Sequence, residues 1–190
     1  MSIFPEGKIA VVGNGPCELG QGRGAEIDAH PTVIRCNNFV LAGYEADYGA
    51  RATHWATAGF FPAVAWRDPA AFAGIYVTLP WFALEFHARH RRHYAAAVDL
   101  NALAALAPRA AFLPLAFYET LGRMSCGITL LYWLYRERGW SLADVDVYGF
   151  SFFDPAQGMH YFSAAEPVSG GHDPVTELAV YNHLREGSVK

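Results

Sequence analysis

The chain has 190 residues, 53% of them hydrophobic and 17% charged, with a formal net charge of −4. That length fits a single domain spanning 1–190, able to bury roughly 70% of its unfolded surface, and the composition excludes a disordered or low-complexity chain. The acidic balance argues against a nucleic-acid partner, whose phosphates draw affinity from Lys and Arg.

Residues Met1 to Lys8 lack the basic start and apolar stretch of a signal peptide. No apolar run approaches the ~20 residues that span a bilayer, so a cytoplasmic location is expected. Lys8–Val12 reads as a strand ending in the turn Gly13-Asn14-Gly15-Pro16. Gly20, Gly22 and Gly24 follow and are expected to keep this loop flexible and close to a ligand. Thr32–Arg35 is β-branched and reads as a second strand, and Thr53–Ala58 and Ile75–Thr78 as further ones. Trp81–Ala97 and Leu100–Ala107 read as helices, and Ala111–Leu115 as a short strand. Ser125 is placed to cap a helix that runs to Arg138 and stops at Gly139. Val145–Tyr148 is a strand closed by Gly149, and Asp173-Pro174 opens a last helix that ends near Glu186, before Gly187.

Strands alternating with helices predict an α/β fold with a mostly parallel central sheet. Ligands of such sheets sit at the carboxyl ends of strands, which directs attention to the loops after Val12, Arg35 and Tyr148. The three cysteines, Cys17, Cys36 and Cys126, are odd in number and lack CxxC spacing, as expected of reduced thiols. Gly13-Asn14-Gly15 alone is equally compatible with a tight turn and no ligand. It lacks the full GxGxxG spacing and an acidic residue at the right distance after it, which counts against a dinucleotide oxidoreductase.

Longer segments are more specific. Val11-Val12-Gly13-Asn14-Gly15, then Gly24-Ala25-Glu26-Ile27-Asp28-Ala29-His30, then Val33-Ile34-Arg35-Cys36-Asn37, resemble the large sialylmotif of the animal-type sialyltransferases. Ser125-Cys126-Gly127 followed by Asp146-Val147-Tyr148-Gly149-Phe150 resembles the small sialylmotif, and His160-Tyr161-Phe162 the third. His172 with Glu177 resembles the very small motif. The resemblance runs from about Lys8 to Glu177, with no match over Trp55–Phe117, and suggests a short, bacterial-type member of the family.

The resemblance implies a Rossmann-like α/β/α sandwich, a variant of the GT-A fold. It also implies an inverting transferase that takes sialic acid or a related ulosonic acid from a CMP-sugar without metal or other cofactor. Asn14 and Gly15 in the first turn, Asn37, and Ser125, Cys126 and Gly127 match donor-binding positions. Asparagine offers donors and an acceptor to a ribose, phosphate or cytosine edge, and a helix N-terminus favours an anion. Ser125 serves equally as a plain N-cap. His172 matches the catalytic base, for which an ordinary pKa of ~6.5 is suited. His160 matches the residue that meets the departing CMP phosphate. Glu177 either orients nearby loop groups or is a solvated first-turn acid.

Other candidates are weaker. His87, His90 and His93 share helical spacing with Arg89, Arg91 and Arg92, whose charge disfavours a metal. That 87–93 segment is either a basic solvated face or a peripheral contact with an anionic membrane surface or glycolipid acceptor. His30 reads as structural, His54 is open between pocket and core, and the DxD of Asp144-Val145-Asp146 enters a strand and is accidental.

Several positions depart from the family pattern. The animal enzymes have a membrane anchor and stem, neither of which is expected here, and they join the large and small motifs by a disulfide. Ile9 and Leu142 occupy those cysteine positions, an apolar substitute for the bridge. Cys126 stands where a hydroxyl is usual. A CMP-Kdo-type transferase would share the leaving group and carboxylate, and a non-catalytic nucleotide- or glycan-binding module is the alternative from another class. The acceptor, a glycan or glycolipid, is not legible.

Overall fold

The computed structural model describes residues 3–61, 63–83, 85, 86, 88, 98–139, 141–152, 154, 158–163 and 173–187. Six strands form one sheet: β1 (Ile9–Val12), β2 (Thr32–Cys36), β3 (His54–Thr57), β4 (Gly74–Val77), β5 (Ala110–Phe112) and β6 (Val145–Tyr148). Their order is β5-β4-β3-β2-β1-β6, and every neighbouring pair is parallel. β1, β2 and β3 are buried at every position, as expected for strands covered on both faces. The chain therefore steps outward from β1 to β5 and then returns to the other side of β1 for β6. The carboxyl ends of β1 and β6 flank the point where the order reverses, which is where open α/β sheets bind ligands.

Six helices are named among the described residues: α1 (Gly24–Asp28), α2 (Glu45–Tyr48), α3 (Leu100–Leu106), α4 (Leu115–Leu121), α5 (Cys126–Glu137) and α6 (Pro174–Glu186). Alternate strand residues face opposite sides, and the core divides accordingly. On one face Ile9, Val11, Ile34, Ala56 and Tyr76 pack with α5, whose residues 126–135 are all buried. On the other, Ala10, Val12 and Val33 meet Ile27 of α1 and Tyr48 of α2, while Trp55, Ile75 and Val77 meet Leu103 and Leu106 of α3. Helices thus cover both sheet faces. No helix of the described residues is long and apolar enough to cross a membrane.

The parallel sheet and the helices α3, α5 and α6 match the sequence expectations closely. Ser125 caps α5 by accepting the N–H of Ile128 at 3.4 Å. Asp173 accepts the N–H groups of Val175 and Thr176, Pro174 holds the first position of α6, and Gly187 ends it in the left-handed conformation. Ile9 and Leu142 share one buried cluster. The expected helix over Trp81–Ala97, with His87, His90 and His93, lies for the most part outside the described residues.

Two expectations are corrected. The loop carrying Gly20 and Gly22 is pinned: both glycines have positive φ, and their N–H groups donate to the Asp47 carboxylate at 2.8 and 2.9 Å. Neither glycine lines the cleft described below. The sequence reading also passed over α1 and α2, of five and four residues, too few turns for an apolar period to show, and over α4, whose first residue, Leu115, it gave to a strand that in fact ends at Phe112.

Candidate functional site

The carboxyl ends of β1, β2 and β6 and the start of α5 surround a cleft of about 630 Å³, solvent at its mouth included. Its lining includes Asn14 and Gly15 after β1, Cys36 and Asn37 at the end of β2, Ser125, Cys126 and Gly127 at the head of α5, and His160. Every site residue expected from the sequence except His172, which lies outside the described residues, is therefore brought to this one cleft.

Each arrives there for a local reason. The Gly13–Gly15 turn leaves β1 alongside the loop after β6. The N–H of Gly13 donates to Tyr148 at 2.8 Å and that of Gly15 to Gly149 at 2.7 Å. A Cβ on Gly13 would stand 2.5 Å from the Gly149 carbonyl oxygen, and one on Gly127 would stand 2.7 Å from the Phe150 ring. The Phe150 ring occupies the space that side chains at 13 and 127 would need, so both motif glycines are packing requirements.

Asn14 donates its amide N–H to the Cys36 carbonyl at 3.0 Å, while its Oδ1 is buried with no hydrogen-bond partner among the described residues. A buried acceptor left in this state costs about 1–3 kcal/mol, so it is a ready partner for a ligand N–H or O–H. Asn37 holds φ +45°, and its side-chain oxygen accepts the N–H of Ala58 at 2.9 Å. Asparagine tolerates this left-handed backbone better than most residues. Asn37 thus shapes the end of β2 as well as lining the cleft.

Ser125 is both the N-cap of α5 and a lining residue, so the two readings of it coexist. Glu177, in the first turn of α6, is 1% exposed and accepts the Ser125 N–H at 2.9 Å. The solvated-acid reading of Glu177 is set aside: this carboxylate lines the cleft and ties α6 to the head of α5. His160 is held by its neighbours. Tyr161 donates its backbone N–H to the Asn14 carbonyl at 2.9 Å, and its hydroxyl both donates to and accepts from Val40. Its ring stacks on Tyr48 at 3.9 Å. The His160 ring stacks on Phe162 at 5.2 Å.

The sequence reading missed the residues beneath the turn. Tyr48 donates its hydroxyl to the Gly15 carbonyl at 2.6 Å, and burial raises its pKa. Glu18, 8% exposed, accepts the Gly149 N–H at 3.0 Å. No motif signals either residue; a buried acid in a 3-10 turn has no sequence period. Phe150, Ser151, Phe152 and Met159 also line the cleft without having been singled out for it.

Residues left open by the sequence fall elsewhere. His54 begins β3, at the opposite end of the sheet, where it lines a separate cavity with Phe4, Tyr76 and Arg109. Burial lowers its pKa. His30 is buried, with Nδ1 against the Glu26 and Ile27 carbonyls and Nε2 2.8 Å from Asp146, a structural role. Asp146 and Asp144 face His30, Lys8 and Arg138, so the DxD does not form a pair at the cleft. Among the described residues no group of three or more His, Cys, Asp or Glu side chains is placed to hold a metal ion.

The sequence profile of Glycosyltransferase family 29 (sialyltransferase) matches residues 7–62. A sialyltransferase-like protein 2 of Oryza sativa subsp. indica is 57% identical over 42 residues, 22% of this chain and 11% of that protein. A mouse CMP-N-acetylneuraminate-beta-galactosamide-alpha-2,3-sialyltransferase 2 is 43% identical over 47 residues, 25% of this chain and 13% of the relative. The aligned segments are thus a small part of these relatives. The crystal structure of a mammalian sialyltransferase superposes with a TM-score of 0.62 at 22% identity, over 95% of this chain and 66% of that one. A second structure, in complex with Gal-beta-1-3GalNAc-ortho-nitrophenol, gives a TM-score of 0.61 at 20% identity. At these identities the superpositions speak for the fold.

Proposed function

We propose that this chain, a member of the sialyltransferase family, transfers sialic acid or a related ulosonic acid from a CMP-sugar to a glycan hydroxyl, inverting the anomeric centre. The observation that carries the reading is convergence. Asn14, Asn37, Ser125–Gly127 and His160 come from four separate stretches of chain and line one cleft at the switch point of the sheet. The fold reading extends to a GT-A variant.

The donor half of the chemistry follows from these groups. The unpartnered Asn14 Oδ1 accepts from the nucleotide. The head of the twelve-residue helix α5, with its positive dipole end, receives the phosphate or the sugar carboxylate. His160 hydrogen-bonds the phosphate as charge develops on the departing CMP. The acceptor hydroxyl oxygen attacks the anomeric carbon from the opposite side and gives its proton to His172, which directly precedes the N-cap of α6 in the chain. The reaction needs no metal and takes place in the cytoplasm. Its basic 87–93 segment meets an anionic membrane surface that carries a glycolipid acceptor.

The test is a thermal-shift series with CMP, UMP, AMP and NAD in the presence of EDTA. CMP alone is expected to raise Tm, by mass action on the native state; equal shifts from all four, or none, would overturn the reading. CMP release from CMP-Neu5Ac against CMP-Kdo then fixes the donor sugar, and release from neither, despite CMP binding, would favour a non-catalytic module. His172→Ala is expected to abolish transfer and spare CMP binding; retained turnover removes His172 from the role of base.

A further inference from the structure

A second cavity lies at the other end of the sheet, where β3, β4 and β5 begin. It has a volume of about 680 Å³, solvent at its mouth included, and its lining includes His54, Gly74, Tyr76, Arg109, Ile3 and Phe4. It shares no lining residue with the cleft, so what it binds is independent of what the cleft binds.

We propose that this cavity binds a small oxyanion, a phosphate or a carboxylate, between the His54 imidazole and the Arg109 guanidinium. Charge sets the class of ligand. The described lining holds one fixed charge, that of Arg109, and no carboxylate, so an anion is favoured there. His54 supplies the directed contact. It is 8% exposed, and the one hydrogen bond of its ring among the described residues joins Nδ1 to the Thr53 hydroxyl at 2.9 Å. The Val33 carbonyl, 3.1 Å from that hydroxyl, already accepts the Thr53 N–H at 3.0 Å. The hydroxyl hydrogen therefore goes to Nδ1, and the neutral ring carries its own proton on Nε2. That N–H has no partner among the described residues and is left for a ligand oxygen.

Gly74 keeps the space beside that nitrogen open. A Cβ at Gly74 would stand 2.7 Å from Cδ2 and 3.2 Å from Nε2 of His54, and 3.4 Å from the Tyr76 hydroxyl. The imidazole edge and the hydroxyl, on neighbouring strands, thus flank one gap that a side chain would fill. The Tyr76 hydroxyl donates to the Ile3 carbonyl at 3.2 Å, and its ring stacks on Phe4 at 4.3 Å and lies parallel to His54 at 5.9 Å. This apolar backing keeps water from that side and strengthens a charged contact. Burial lowers the pKa of His54, and a bound oxyanion favours the imidazolium and opposes the shift. The other titratable or charged groups lining the cavity are Arg109 and Tyr76, and burial raises the pKa of Tyr76. His54 is therefore the group whose charge changes with the ligand.

The experiment follows the imidazole signals of the full chain by NMR, with those of His54 identified by their loss in His54→Gln. Sodium phosphate and sodium acetate are titrated separately, with sodium chloride holding ionic strength constant. The expected result is a saturable shift of the His54 signals and an upward move of the His54 pKa; whichever anion saturates at the lower concentration names the preferred group. Arg109→Gln, a change at an exposed side chain, is expected to weaken that binding roughly tenfold or more, as for loss of a hydrogen bond to a charged group. Gly74→Ala fills the gap and is expected to remove binding. His54 signals that respond to neither anion beyond the chloride control, or binding undiminished in Arg109→Gln, would overturn the proposal. The wild-type titration and Arg109→Gln decide the matter even where Gly74→Ala fails to fold.

Discussion

Asn14 uses its amide in two directions: the N–H group fastens the turn after β1 to the Cys36 carbonyl, and the oxygen, in the lining of the cleft, has no partner among the described residues. Replacing it by alanine removes both. Asn14→Ala is expected to weaken CMP binding roughly tenfold or more, since hydrogen bonds of this kind contribute about 0.5–1.5 kcal/mol each and more when the group they satisfy is buried. Titration calorimetry with CMP checks it; unchanged affinity would take Asn14 out of the donor contacts. Glu177 makes the second residue-level case. Its carboxylate, 1% exposed, satisfies the Ser125 N–H. Glu177→Ala leaves that N–H to whatever water can reach it, at a cost of about 1–3 kcal/mol. At this chain length that corresponds to a fall in Tm of about 2–4 °C per kcal/mol. Glu177→Gln retains an acceptor oxygen and is expected to lose clearly less in the same thermal melt; equal losses in the two variants would show that the hydrogen bond is not what Glu177 contributes.

At the scale of elements, the cleft depends on how closely three segments approach. Phe150, after β6, sits against Gly127 of α5 and Gly13 after β1. Gly127→Ala puts a methyl group 2.7 Å from the Phe150 ring, so either the ring or the head of α5 must move. The expected result is destabilisation of about 1–3 kcal/mol, as for other overpacked cores, together with loss of CMP binding. Denaturant unfolding reads the first and calorimetry the second. A variant of native stability and affinity would show that the ring yields freely.

The same elements show how far the sequence could be read. The caps of α5 and α6 were legible because Ser125, Asp173-Pro174 and Gly187 each carry a local backbone preference. The strands were legible because they are short apolar runs. The residues expected at the donor side share one cleft, and they could be singled out because the resemblance ran over several motifs in order. What was not legible is tertiary. Gly20 and Gly22 looked like a flexible loop, and only the fold brings Asp47 to their N–H groups. Glu18, Tyr48 and Phe150 support the cleft through partners 131, 33 and 137 positions away in the chain.

For the whole molecule, the return of β6 to the side of β1 is the step that completes the cleft, and it is cross-braced at the end of the sheet away from the cleft. Asp146 on β6 meets Nε2 of His30 at 2.8 Å across 116 positions of chain, with Lys8 at 3.6 Å. The hydrogen bond to His30 holds the Asp146 carboxyl below its ordinary value. A carboxyl with a lowered folded-state pKa binds protons more readily when unfolded, so stability falls as acid is added. The Asp146 contribution is complete above its unfolded value, near pH 4, and is lost as pH drops through the lower folded value. Asp146→Asn cannot titrate. It is expected to be less stable than wild type at neutral pH, with the gap closing as pH falls from about 5 towards 2. Urea unfolding across that range measures it. The side chain is 39% exposed, so the effect is modest and screened by salt. A gap that stays constant with pH would show that the His30–Asp146 contact owes nothing to charge, and β6 would then be held in place by its ladder to β1 and the packing of α5 alone.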